Sequence, residues 1–203
     1  MIGTAAARTT VTTDEDHVIL LGPDGTPSGL APRASVHTTS TPLHLAFSCH
    51  LVREDGAVLL TRRSLAKRTW PGVWTNAFCG HPRRGESFAQ AIARHAHDEL
   101  GLEVRDVRPV LPDFRYRAVD ASGIVENEQC PVFTARPLTE PTPNPAEVME
   151  LRWVDADALG ALVRLAPWTL SPWSVAQLEQ LAQHGGQLAQ LDGQLAQRPG
   201  GSA

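Results

Sequence analysis

The sequence predicts an α+β domain, an α/β/α sandwich in which a mixed sheet carries flanking helices. Short apolar runs bounded by Gly, Pro and Asp lie on both sides of one strongly helical segment. A proline-rich loop, 137–147, separates the middle strands from a last strand-like run. Two further helical patterns follow it. Strands before and after one central helix, with more helix late, suit a layered domain.

The elements follow in order. Residues 1–15 are small and polar and read as a disordered lead. HVILL (17–21) followed by GPDGTPSG reads as an edge strand and hairpin. LHLAFSCHLVRED (43–55) and AVLLTRR (57–63), joined at Asp55-Gly56, read as paired strands. SFAQAIARHAHDEL (87–100) reads as a helix capped by Ser87 and ended by Gly101. Its Phe88, Ala91, Ile92, His95 and Glu99 recur on one side. DFRYRAV (113–119) and GIVENEQCPVFTAR (123–136) flank a turn and read as a hairpin. VMELRWV (148–154) reads as the last strand, 155–165 as a short helix and 172–184 as another. QLAQ recurs from Gln180, Gln187 and Gln194, a seven-residue period. Each repeat holds glycine and few apolar residues, so 185–203 reads as a disordered tail. The expected domain is 16–184.

Composition narrows the function. The 203 residues carry a net charge of -4, which gives no basic surplus for nucleic acid. Basic residues nonetheless cluster at Arg62, Arg63, Lys67 and Arg68, and again at Arg83 and Arg84, as a pocket for an anionic ligand would need. Cys49, Cys79 and Cys130 are too few and uneven for a disulfide framework, so a reducing, cytoplasmic setting is expected. No apolar run reaches the length of a membrane span, and the first residues have no signal-peptide pattern.

Two constellations carry chemistry. GHPRRGESFAQAIARHAHDELGL (80–102) resembles the Nudix box, a loop–helix–loop whose carboxylates bind cations on a diphosphate. Here His95 and Asp98 stand where glutamates are usual, and only Glu86, Asp98 and Glu99 are acidic. By itself the segment also fits an ordinary amphipathic helix with a solvated acidic end. The second constellation is His37, His44, His81, Glu126 and Glu128. In a strand, Glu126 and Glu128 face the same way and can aim at one ion. Three imidazoles with two carboxylates suit Mn²⁺, Zn²⁺ or Fe²⁺ better than Mg²⁺.

TPLHLAF, TRRSLAKRTWPGVWTN, CGHP, DFRYRA, SGIVENEQCPVF and SPW occur in this order between about His17 and Trp173. Together they resemble the type 1 isopentenyl-diphosphate delta-isomerase family, enzymes of Nudix fold. The resemblance implies the following roles. Cys79 of CGHP and Glu128 of ENE are the acid/base pair, with Tyr116 assisting beside Glu128. His37, His44, His81, Glu126 and Glu128 bind Mn²⁺ or Zn²⁺, or Mg²⁺. Glu99 and the Cys79 carbonyl bind the Mg²⁺ that travels with the diphosphate. Arg33, Arg63 and Lys67 contact the diphosphate, and Trp173 lines the hydrocarbon pocket. Arg33 stands where lysine is common, and His95 where arginine is common. The implied substrate is a small prenyl diphosphate, handled without nucleic acid or membrane by a monomer or dimer.

The chemistry explains these residue types. An unactivated alkene is a very weak base, so its protonation needs a strong acid in a dry pocket. A carboxyl near a metal is more acidic than a free one, which suits Glu128. Free cysteine has a pKa near ~8.5, so a reactive Cys79 needs help from its surroundings. An aromatic face such as that of Trp173 can stabilise positive charge. Two competing readings remain at this point. A Nudix hydrolase would favour glutamates at 95 and 98 and would need neither Cys79 nor the histidines. A catalytically dead binding module would be expected to carry a broken CGHP or ENE motif, and both are intact.

Overall fold

Helix α2, Phe88–Leu100, is bounded as the sequence predicts. Ser87 Oγ accepts from Gln90 N–H at 3.3 Å, and Gln90 Oε1 accepts from Ser87 N–H at 2.9 Å, a reciprocal cap. Gly101 ends the helix at φ 60, where a Cβ would also lie 2.8 Å from the Thr142 carbonyl. Ala91, Ile92, Ala96 and Leu100 are fully buried and pack with Phe47, Phe78, Leu102 and Phe133. Burying a side chain such as Ile92 or Leu100 contributes about 2 kcal/mol.

A computed structural model describes residues 17–183. The expectations for 1–15 and 185–203 lie outside the described residues. Strands β1 (His17–Leu21), β2 (Pro27–Pro32), β3 (His44–Leu45), β10 (Val125–Gln129) and β9 (Arg115–Val119) form one sheet, in the order β2-β1-β3-β10-β9. β7 (Phe78–Gly80), β4 (Phe47–Leu51), β11 (Val132–Pro137) and β8 (Val104–Leu111) form a second, in the order β7-β4-β11-β8. β12 (Val148–Val154), β5 (Val58–Arg63) and β6 (Trp74–Thr75) form a third. The short α1 (Arg33–Val36) precedes β3, while α3 (Ala156–Leu165) and α4 (Pro172–Gln183) close the domain. One core lies under α2, and another takes Leu159 and Val163 of α3 with Trp173 and Leu181 of α4.

The first two sheets share a seam. The chain leaves the first sheet for the second at Ala46, between β3 and β4, and again at Cys130-Pro131, between β10 and β11. Both crossings run parallel, pairing Glu128 with His44 and Val132 with Ser48. Ala46 N–H donates to the Gln129 carbonyl and Ser48 N–H to the Pro131 carbonyl across it.

Three expectations change, and β8 is an element the sequence reading did not contain. β1 lies inside its sheet, because β3 pairs with its free side and β2 takes the edge. β4 and β5 meet only at the Val52–Val58 bridge beside their turn, then enter different sheets. All five residues of β4 are buried, so it lies between β7 and β11. The run 123–136 is two strands in two sheets, because proline at 131 supplies no N–H to continue the first ladder. β8 gave no clear sequence signal: Pro109 and several exposed charges break its alternation.

Candidate active site

The seam assembles the histidine cluster. His44 begins β3, opposite Glu128 of β10, and Glu126 lies two residues earlier. His37 follows α1, and His81 follows β7. The rings stand 5.1 to 5.8 Å apart by centroid. One ligand atom from each of His37, His44, His81 and Glu128 lies within 4.8 Å of the others. Glu128 Oε1 is 3.4 Å from both His44 Nε2 and His81 Nε2. Glu126 stands outside that tightest group but reaches His37 Nε2 at 3.4 Å.

These residues fit a divalent cation. His44 Nε2 and His81 Nε2 are buried without a hydrogen-bond partner, a costly state that a metal would relieve. His44 Nδ1 lies 2.9 Å from the Pro42 carbonyl, which fixes the tautomer that leaves Nε2 as a ligand. Burial disfavours a charged His44, yet the negative charge of Glu128 beside it prevails and raises its pKa. For His81 burial prevails and lowers it. Burial would raise the Glu128 carboxyl, but the His44 and His81 rings beside it hold it well below the usual range.

The acid/base candidates lie on the same cavity. It holds about 420 Å³ and is lined by Cys79, Tyr116, Glu126, Glu128 and Trp173 together with Arg33, Arg63 and Lys67. Tyr116 O–H donates to Glu128 Oε2 at 2.9 Å, and burial pushes the Tyr116 pKa well up. Cys79, on β7, faces Ser48 of β4 in register. Burial pushes its thiol up to about 12, against smaller downward pulls from Ser48 and Asn76. Trp173 is buried, its ring centroid 5.6 Å from those of both Tyr116 and Trp70, and its Nε1–H donates to Asn76 Oδ1 at 3.1 Å. Cys49 and Cys130 are buried thiols, as their apolar strand contexts suggest.

The basic candidates are partly engaged. Arg63 donates to the Thr69 and Trp70 carbonyls, and its guanidinium lies 5.8 Å from the Trp173 ring. Lys67 pairs with Glu147. Just before α2, Glu86 is held by Arg94 at 2.7 Å, and on α2 Glu99 is held by His95 Nδ1 at 2.8 Å. Asp98 is exposed beside His97. Gly80 makes room for His95, since a Cβ there would lie 2.3 Å from its ring. Ser48, Asn76 and Gln177 escaped the sequence reading. They are single polar residues in ordinary strand, turn and helix segments, and no spacing distinguishes them.

The NUDIX domain family matches residues 42–176. The isopentenyl-diphosphate delta-isomerase of Agromyces mediolanus is 57% identical over 83% of this chain and 82% of its own length. That of Leifsonia xyli subsp. xyli is 56% identical over 84% of this chain and 94% of its own. The chain belongs to the isopentenyl-diphosphate delta-isomerase family. A MutT protein structure from Methanosarcina mazei Go1 superposes with a TM-score of 0.54 at 20% identity, covering 71% of this chain and 96% of that one. That likeness speaks for the Nudix fold alone. Within the isomerase family the histidine cluster fits divalent-metal use. No helix among the described residues is long and apolar enough to cross a membrane.

Proposed function

We propose that this site interconverts isopentenyl diphosphate and dimethylallyl diphosphate, and so supplies isoprenoid biosynthesis, with Cys79 and Glu128 as the acid/base pair. The observation that carries the reading is their position on one cavity that also holds a histidine cluster, aromatic rings and basic side chains. A hydrolase would have no use for that thiol.

Burial favours the thiol form of Cys79, and the histidines favour the ionised form of Glu128. One group can therefore give a proton while the other takes one. In one direction one of the pair protonates the terminal alkene carbon while the other removes a proton two carbons away. The reverse direction swaps the roles. Tyr116 steadies the Glu128 carboxylate through its hydrogen bond. The Trp173 and Tyr116 rings line the prenyl chain's path, exclude water and face the developing positive charge. Arg33, Arg63 and Lys67 anchor the diphosphate, remote from the reacting carbons.

His37, His44, His81, Glu126 and Glu128 would hold Mn²⁺ or Zn²⁺, or Mg²⁺. Glu99 and the Cys79 carbonyl would hold the Mg²⁺ that arrives with the diphosphate. A bound cation supplies positive charge that offsets the diphosphate and makes the Glu128 carboxyl more acidic. We place the enzyme in the cytoplasm, acting as a monomer or dimer without nucleic acid.

The test is NMR of isopentenyl diphosphate with Mg²⁺ and the protein in D₂O. Wild type is expected to form deuterated dimethylallyl diphosphate, and Cys79→Ala is expected to form none. Release of phosphate or pyrophosphate would instead make the protein a hydrolase.

A further inference from the structure

We propose that Ser48 is a positioning residue for the Cys79 thiol. Its hydroxyl accepts the S–H of the resting thiol and turns to donate to the sulfur once the proton has left. Gln177 and His50 hold it between the two states. The inference rests on the acid/base role proposed for Cys79.

The argument follows the protons around the sulfur. Ser48 is fully buried and stands opposite Cys79 across the β4–β7 ladder, Oγ to Sγ 3.1 Å. The other polar neighbour is Asn76 Oδ1 at 3.4 Å. Asn76 Nδ2 donates to the Cys49 carbonyl at 3.0 Å and the Phe78 carbonyl at 2.8 Å, which spends both of its hydrogens. The end of Asn76 that faces the sulfur is therefore an acceptor only. That oxygen already takes Trp173 Nε1–H at 3.1 Å and Thr75 O–H at 2.9 Å. Ser48 is thus the sulfur's closer and less crowded partner.

The single Ser48 proton goes to Gln177 Oε1 at 3.2 Å, so a Ser48 lone pair is left for the thiol hydrogen. His50 Nε2 lies 3.0 Å from the same amide oxygen. An amide oxygen only accepts, so His50 carries its proton on Nε2. Burial lowers the His50 pKa to about 4, and the ring stays neutral near pH 7.

When Cys79 protonates the alkene, its S–H bond breaks, a C–H bond forms, and the electron pair stays on sulfur. A buried thiolate with no donor is costly. Asn76 Oδ1 has no proton to give, whereas the Ser48 O–H can rotate toward the sulfur. Gln177 Oε1 keeps the His50 N–H meanwhile, so the rotation leaves that amide oxygen with a donor. Return of the proton reverses each step.

The test reads the thiol directly, on the full metal-loaded chain. The Cys79 S–H stretch is assigned in the infrared by its disappearance in Cys79→Ser. In Ser48→Ala that band is expected to move to higher frequency, and kcat to fall roughly 10- to 100-fold. KM is expected to change less than about twofold, because diphosphate anchoring is untouched. Metal content and melting midpoint should match wild type. A stationary band, or a kcat within about twofold of wild type, would overturn the proposal. Gln177→Met, which removes the acceptor of the Ser48 proton, should move the band and lower kcat by less. It decides the matter by the same two readings if Ser48→Ala does not fold. A wild type that binds metal but does not isomerise would sink the acid/base reading and the catalytic role of Ser48 with it. The band would still report whether the Ser48 contact exists.

Discussion

Two parts of the molecule offer carboxylates to a cation, and they are built in opposite ways. At α2, Glu86 in the loop before the helix is closed off by Arg94 and by the Arg83 N–H, while Glu99 on the helix is engaged by His95. At the seam, the Nε2 atoms of His44 and His81 are buried, unpartnered and aimed at Glu128. The helix neutralises its own charges, whereas the seam keeps donors in deficit. A carboxylate with its own cation is a structural strut. Buried, unpartnered ring nitrogens that converge on one carboxylate are a site.

The strongest way to break this contrast is at the seam. His81→Ala should lose the bound metal by elemental analysis and lower turnover by roughly three orders of magnitude. Retained metal with full turnover would make the cluster structural. The same contrast holds within one residue type, because His50 is buried with no carboxylate among the groups that shift it. Its folded pKa, about 4, is below the ordinary 6.5. The unfolded chain therefore gains a proton first as pH falls. His50 contributes its stability in full above pH 6.5 and loses it toward about pH 4, a change of about 3 kcal/mol. Denaturant titrations across that window should show His50→Gln with a flatter acid slope than wild type.

Smaller effects are expected on α2. Glu99→Gln should raise KM for the diphosphate substrate about tenfold while metal at the histidine cluster stays, by titration with Mg²⁺. An unchanged KM would return Glu99 to the role of a strut. Glu86→Gln should cost about 1 kcal/mol of stability, less in high salt, and leave turnover within about twofold. A large loss of turnover there would mean that the helix carboxylates act as a metal set after all.

The motifs were legible because their chemistry is local in sequence. CGHP, ENE and FRYRA each set their key residues within a few positions, and strand periodicity put Glu126 and Glu128 on one side. The capped helix was legible because Ser87, Gln90 and Gly101 satisfy its end groups locally. Asp55-Gly56 misled because a tight turn fixes only the residues beside it. The burial of all of β4 then drew β4 and β5 into different sheets. Ser48, Gln177 and His50 left no signal, because a buried hydrogen bond between residues 48 and 177 has no footprint in the residues around either one.

By itself the sequence determined the fold class, the family resemblance, the central helix and the acid/base and ligand residue types. Those depend on periodicity, capping and short-range spacing, which neighbouring residues encode. Only the tertiary structure decided which charges cancel and which stay open, and what surrounds the Cys79 sulfur. The seam that pairs His44 with Glu128, and the ladder that sets Ser48 against Cys79, join residues 31 to 84 positions apart. Such partners are chosen by sheet pairing and burial, after the chain has closed on itself.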